Sequence, residues 1–255
     1  MIQATRPVGR RARSYVRVRG PGAVEYLGRM LSNEVPESGS ADALLLTPKA
    51  RVIAPLLVWR RGEDDVLLLT EPDLGEVVAS HLLRMRFASR CEIELEEHVS
   101  TIVFGEAAVG VPNRDYGAPA IEVLDSALEP TLTDEELERL RIEAGTPRYG
   151  LDLDDRVLPA EAGLDERAIS FDKGCYPGQE PVARQHYRGK VNRRLRVLEL
   201  DGDVERETPV VWEGKEVGRV TSVAGGLALA YVRVEVPDGA QLDVGGTTAH
   251  LRPRA

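Results

Sequence analysis

Apolar and polar positions along the first hundred residues predict one unit of strands and helices. Tyr15–Arg19 alternates like a strand, and the apolar residues after Gly20-Pro21-Gly22 recur at helical spacing to about Leu31. Further strands are predicted at 43–47, 52–59, 65–70 and 91–95, and a second helix at 72–87. One strand, a helix, three strands, a helix and a last strand form a split α+β pattern.

A second unit is predicted from residue 99. Short apolar runs at 101–104 and 120–124 are typical of strands, and Thr133-Asp134-Glu135-Glu136 is a capping box for a helix that ends at Gly145. Residues 146–190 contain few periodic stretches and many turn formers. A loop-rich segment of that length is usually functional or disordered, and its aromatic and apolar content favours order.

From residue 191 the pattern changes to short strands joined by tight turns such as Asp201-Gly202 and Gly225-Gly226, which predicts a small all-β barrel. The predicted fold class is therefore α+β, with two α+β units followed by a C-terminal barrel. The predicted domains are 1–98, 99–190 and 191–255.

Composition narrows the function classes. Hydrophobic residues make up 42% and charged residues 29% of the chain, as in ordinary folded proteins, and the net charge of -9 argues against general nucleic-acid binding. No apolar run is long enough to predict a membrane span. The N-terminal arginines allow a transit peptide, but the alternation at Tyr15–Arg19 favours a strand. With only Cys91 and Cys175, a reducing, cytoplasmic location is expected.

Two common kinds of site are not predicted. Gly20-Pro21-Gly22 stands where a dinucleotide fingerprint would, but Glu25 replaces its third glycine and no crossover helix follows. The scattered histidines lack metal-ligand spacing, so no pre-formed metal site is predicted. A transient site involving Cys175 stays open.

Cys175 carries the strongest chemical signal. It lies between Gly174 and Gly178, with Lys173 two residues before it and Arg184 nine residues after it. Cations near a cysteine favour the reactive thiolate. The segment predicts a reactive thiol with Lys173 as its activating neighbour, rather than a cysteine buried as a small hydrophobe.

Several stretches resemble the folate-binding YgfZ group, relatives of the aminomethyltransferase (T-protein) of the glycine cleavage system. They are 30–33 with 45–49, 141–150 and 173–189, and the most specific is Lys-Gly-Cys-Tyr-x-Gly-Gln-Glu at 173–180. The resemblance implies a three-domain ring with tetrahydrofolate, or a derivative, near its centre. It also implies iron–sulfur client or assembly proteins as partners.

The resemblance implies binding residues as well. Glu143 matches the family glutamate that holds the pterin, and a carboxylate can accept parallel hydrogen bonds from the ring N–H and the 2-amino group. Arg184 and Arg188 are candidates for the anionic glutamyl tail by the same charge-assisted logic. The complete cofactor-binding set is Glu143, Arg141, Tyr176, Gly178, Gln179, Glu180, Arg184 and Arg188.

One departure limits the chemistry. In the aminomethyltransferases a pair of aspartates follows the apolar residues of a core strand, where this chain has Ala54 and Pro55. The expected function is a folate-binding accessory protein in iron–sulfur protein assembly or repair that acts through Cys175. Two alternatives stay open: a tetrahydrofolate-dependent one-carbon transferase, and a scaffold with a vestigial folate site. A transferase would take its base from Asp152, Asp154 or Asp155, which otherwise form a solvated turn.

Overall fold

The computed structural model describes residues 6–105 and 109–253. Its strands, in chain order, are β1 (Val8–Arg11), β2 (Ser14–Arg19), β3 (Gly39–Leu46), β4 (Val52–Gly62), β5 (Asp65–Thr70), β6 (Glu92–Glu96), β7 (Ser100–Phe104), β8 (Val111–Asn113), β9 (Ala120–Leu124), β10 (Arg193–Leu200), β11 (Pro209–Trp212), β12 (Lys215–Ala224), β13 (Leu227–Arg233), β14 (Gln241–Val244) and β15 (Thr247–Leu251). Its helices are α1 (Ala23–Met30), α2 (Gly75–Met85), α3 (Asp134–Glu143) and α4 (Gln179–Arg188).

The first sheet has the strand order β3-β4-β5-β2-β6 and carries α1 and α2 on one face. α1 buries Tyr26, Leu27 and Met30 because residues three and four positions apart share one side of a helix. The opposite face contacts the second sheet, where Leu69 packs with Val111 in one cluster. The first sheet is therefore buried on both faces, and the first predicted helix is confirmed.

The second sheet has the order β1-β7-β9-β8 and packs against α3. Its edge strand β1 comes from the very start of the chain, with Val8 opposite Val103 of β7. The sequence pattern missed β1 because Val-Gly-Arg-Arg shows no alternation. The capping box is confirmed, since the Glu136 amide donates to the Thr133 hydroxyl at 3.2 Å. The domain boundaries themselves stay a prediction, and β1 adds an N-terminal strand to the second unit.

The C-terminal strands close into a barrel in the order β10-β13-β12-β11-β14-β15. Its interior is filled by inward-facing residues such as Leu198, Val220, Ala230 and Leu251. The predicted fold class, α+β followed by a small barrel, is confirmed. α3 contacts the barrel through Ile142, which is fully buried among barrel residues.

The loop-rich segment 146–190 is ordered by packing against β3 and the start of β4. Leu153, Leu164 and Tyr176 share a buried cluster with Leu44 and Val52. Apart from α4, this segment contains no regular helix or strand in the part of the chain that the structure describes. None of the described helices is both long and apolar enough to cross a membrane.

Candidate functional site

The motif at 173–180 lies over the residues that flank β3. The Lys173 Nζ donates to the carbonyl oxygens of Leu31 and Asn33, both at 2.7 Å. At Gly178 the backbone is left-handed, with φ at +86°, and a Cβ would lie 2.6 Å from the Thr47 carbonyl oxygen. Only glycine fits both restraints without strain. The structure therefore brings together three of the stretches on which the family resemblance rests.

Cys175 is exposed on this anchored loop. Its thiol is free, while the neighbouring Tyr176 is buried. Burial lowers the pKa of Lys173 to about 8, and its ammonium group already donates hydrogen bonds to the two carbonyl oxygens. Lys173 thus has a clear anchoring contact, whereas its activating effect on Cys175 stays a prediction.

The hydroxyl of Tyr176 is buried without a hydrogen-bond partner among the described residues. Burial raises the pKa of this hydroxyl to about 12. Its ring lies 5.5 Å from the Lys173 Nζ, a distance at which a cation is attracted to an aromatic face. Tyr176 therefore packs into the protein interior and stabilises the loop rather than facing solvent.

α4 continues from the motif and displays its charged side chains to solvent. Arg184 pairs with Glu180 at 2.7 Å, and both side chains are exposed. The Gln179 side chain turns back to the Lys173 carbonyl at 3.4 Å. Arg188 is also exposed. These four predicted binding residues therefore share one short helix beside Cys175.

Glu143 lies elsewhere, at the end of α3 beside the barrel. Its carboxylate contacts Arg139 at 3.3 Å and Arg252 at 3.4 Å, and 38% of its side chain remains exposed. It lines an open groove of about 390 Å³ that also includes Arg194 and Glu166. Residues 173–188 are not part of this groove, so the predicted binding set is divided between two places.

Arg141 is two residues before Glu143 on the opposite side of α3, where it is buried and hydrogen-bonded inside the protein. Its guanidinium donates to both oxygens of Glu138, to Asp152 at 2.7 Å, to Ser222 at 2.8 Å and to the Thr146 carbonyl. These contacts use all five N–H groups that an arginine has. A folate contact through Arg141 would require breaking one of them.

Asp152 is part of the same buried cluster, so the interpretation of a solvated turn is wrong for this residue. It is 2% exposed and accepts hydrogen bonds from Arg141, the Arg148 amide, Thr221 and Ser222. A carboxylate with four donors has little capacity left to accept a substrate proton. The cluster instead joins α3 and the following loop to the barrel.

Ala54 and Pro55 of β4 stand where the aminomethyltransferases have an aspartate pair, and this part of the strand borders a small central cavity. Pro55 lines this cavity of about 50 Å³, whereas Ala54 is buried on the other face of the sheet. Two carboxylates from elsewhere, Asp42 and Asp115, reach the cavity and are bridged by Arg167 at 3.1 and 2.9 Å. Sequence reasoning missed all three, because they are distant in the chain and belong to no local motif.

The two spaces differ in their fit to tetrahydrofolate. About 50 Å³ holds only a few water molecules, whereas pockets for organic ligands usually measure about 300–1,000 Å³. The Glu143 groove, at about 390 Å³, is large enough and offers a half-exposed carboxylate near Arg194 and Arg252. By volume, the groove has room for a pterin, whereas the central cavity is too small for one.

Known proteins share the fold of this chain. The crystal structure of glycine cleavage system aminomethyltransferase T from Bartonella henselae is similar, with a TM-score of 0.81 and 18% identity over 98% of this chain and 86% of that chain. The chain has the aminomethyltransferase T fold. Residues 192–255 match the model of the CAF17 C-terminal beta-barrel domain.

Two relatives extend the comparison to sequence. The mitochondrial iron-sulfur cluster assembly factor IBA57 of Mus musculus is 26% identical over 89% of this chain and 77% of its own length. The aminomethyltransferase of Rippkaea orientalis is 39% identical, but only over 37% of this chain and 28% of its own length. The narrower placement in the YgfZ group stays a prediction.

Proposed function

We propose that this protein is a folate-binding accessory factor of the YgfZ type that acts in iron–sulfur protein assembly or repair through Cys175. The observation that carries the proposal is the exposed thiol on a loop whose neighbours are fixed by Lys173 and Gly178. A rigidly presented thiol suits a group that must meet a partner in one geometry. Similarity to an iron–sulfur cluster assembly factor along most of the chain supports the same role.

The folate site in this proposal is the groove beside Glu143. Its carboxylate would accept hydrogen bonds from the pterin, and Arg194 in the same groove would hold the anionic tail. Arg184 and Arg188, the first candidates for the tail, lie outside this groove on α4. Tetrahydrofolate would supply a one-carbon carrier, and the protein would orient it.

A one-carbon transferase is the weaker candidate. Pro55 cannot supply the carboxylate that the aminomethyltransferases have at this strand, and the carboxylates that do reach the central cavity are bridged by Arg167. Asp152, one of the alternative bases, is already occupied by four donors. Formation of methylene-tetrahydrofolate from an aminomethyl donor would favour the transferase over our proposal.

The thiol is tested in cells that lack this protein. The activity of an iron–sulfur enzyme is measured after complementation with wild type, Cys175→Ser or Cys91→Ser. We expect Cys175→Ser to fold normally and fail to restore activity, while the buried control Cys91→Ser restores it. Full restoration by Cys175→Ser would remove the basis of the proposal.

The folate site is tested by titration calorimetry with tetrahydrofolate. Losing a charged acceptor costs about 1.5–3 kcal/mol, so Glu143→Ala should weaken binding at least about tenfold. Glu166→Ala is the matched control because this residue lines the same groove. Equal affinity of wild type and Glu143→Ala would place folate elsewhere, and no binding by wild type would favour the scaffold alternative.

A further inference from the structure

A second groove lies on the far side of the first sheet from the central cavity, between α1 and the loop that follows α2. It has a volume of about 560 Å³. The turn at Gly20-Pro21-Gly22 holds this loop in place, since the Gly22 amide donates to the Arg90 carbonyl at 3.0 Å. A Cβ on Gly20 would lie 2.9 Å from that same oxygen. The glycines thus serve close packing of two backbones, and the groove beside them is a built feature.

Phe87 stands at the edge of this groove with two unfavourable properties. Its side chain is 83% exposed, and its backbone is left-handed, with φ at +46°. A left-handed backbone costs a residue with a side chain about 1–2 kcal/mol. Strained residues of this kind concentrate at binding sites, where the strain maintains a required geometry. The exposed ring is therefore positioned by the fold at a local cost.

The lining of the groove combines apolar and cationic groups. Apolar side chains come from Tyr26, Met30 and Met85. The charged residues of the lining are Arg29, Arg86, Arg90 and Glu25. Arg29 pairs with Glu25 at 2.7 Å, so Arg86 and Arg90 make this surface positive on a chain whose formal net charge is -9. Charge complementarity therefore selects an acidic occupant.

We infer that this groove docks an acidic peptide segment of a partner protein, with an apolar side chain as its anchor. Methionines adapt to varied apolar side chains, and the exposed Phe87 ring offers a face to an inserted anchor. Arg86 and Arg90 would pair with flanking Asp or Glu side chains of the peptide. Nucleic acid is the less suitable occupant. Its phosphates need an extended basic surface, and this chain is acidic overall. The inference is independent of Cys175 and of folate.

The test is a selection of random twelve-residue peptides displayed on phage against the full-length chain. We expect enrichment of peptides that combine Asp or Glu with Phe, Leu or Met. Synthetic copies should bind wild type and lose at least about tenfold in affinity with Arg90→Glu. Arg219→Glu on the barrel is the matched control, an exposed arginine with the same charge change. Failure to enrich acidic peptides, or equal binding to Arg90→Glu, overturns the inference.

Phe87→Asn separates binding from stability. Asparagine tolerates a left-handed backbone, so the melting temperature should stay the same or rise while peptide binding is lost. A lower melting temperature with unchanged binding would show that Phe87 serves packing, and would overturn the inference. Sedimentation velocity tests whether a second copy of the chain fills the groove. A wild-type dimer that dissociates in Phe87→Asn would also overturn the inference. So would single-stranded RNA that displaces the selected peptides.

Discussion

Replacing Asp152 by asparagine tests whether the buried cluster holds the barrel onto the rest of the chain. Asp152 and Arg141 lie 2.7 Å apart, with side chains 0% and 2% exposed. The carboxylate also receives the hydroxyls of Thr221 and Ser222 on β12. Asp152→Asn keeps the shape of the side chain and removes the charge. The interior then holds an arginine that has lost one of its two carboxylate partners.

The size of the effect follows from the contacts that remain. Removing one partner of a buried ion pair costs about 3–5 kcal/mol. Glu138 still pairs with Arg141 at 2.7 Å, and an asparagine oxygen can still accept from Ser222, so the lower end applies. We expect a loss of about 3 kcal/mol in the free energy of unfolding. For a chain of this size that corresponds to about 6–12 °C in melting temperature.

Urea denaturation followed by tryptophan fluorescence measures this loss. Trp59 reports on the first sheet and Trp212 on the barrel, so single-tryptophan variants show whether the barrel unfolds separately. Asp154→Asn is the control, because Asp154 is exposed and an asparagine oxygen can still accept its two backbone amides. A loss below about 1 kcal/mol for Asp152→Asn would refute the role given to the cluster.

Three further variants or assays test other parts of the structure. Burial lowers the pKa of His98, but hydrogen bonds to two carboxylates at 2.7 and 2.9 Å outweigh this and raise the pKa above its ordinary value. The stability that protonated His98 contributes is complete below about pH 6.5 and is lost as the pH rises through the raised pKa. In urea titrations, the difference in unfolding free energy between wild type and His98→Asn should therefore shrink as the pH rises. A difference that stays constant with pH would contradict this. Gly178→Ala should lower the free energy of unfolding by at least about 2 kcal/mol. Gly174→Ala, whose new Cβ would meet no atom within 4 Å, should change it by less than about 0.5 kcal/mol. Equal effects would exclude the close contact between Gly178 and the Thr47 carbonyl as the cause. Cys175 is exposed, whereas Cys91 is buried and burial raises the pKa of its thiol. A thiol reagent at neutral pH should therefore modify Cys175 in the native protein and Cys91 only on unfolding. Rapid modification of both thiols in the native protein would contradict the burial of Cys91.

Local signals were sufficient for the elements that local physics determines. The capping box at Thr133 and the closely spaced turns of the barrel depend on residues a few positions apart, and both were predicted correctly. The central charges could not be predicted in this way. Arg13 forms two hydrogen bonds of 3.0 Å with Glu122, which lies 109 positions away, and no periodicity connects such a pair.

Long-range contacts also divide the predicted folate site. The family resemblance put Glu143 and the cysteine motif in one binding set, but the fold places Glu143 against Arg252, which follows the last strand of the barrel. Asp152 shows the same limit: the acidic residues at 152–155 suggested a solvated turn, while the fold buries Asp152 under β12. Both outcomes depend on where the barrel docks, which no single segment specifies.

The motif at 173–180 can now be separated into supporting and acting residues. Lys173 is held by two carbonyl oxygens, Tyr176 is buried, and Gly178 is required by a backbone contact. Each therefore has a structural reason to be the residue it is. Cys175 has no such reason, since it is exposed and contributes to none of these contacts. Packing therefore leaves the Cys175 thiol free to meet a partner, which is the role that we propose for it. Gly178→Ala and Cys175→Ser should then fail differently: the first by loosening the loop, the second with the loop intact.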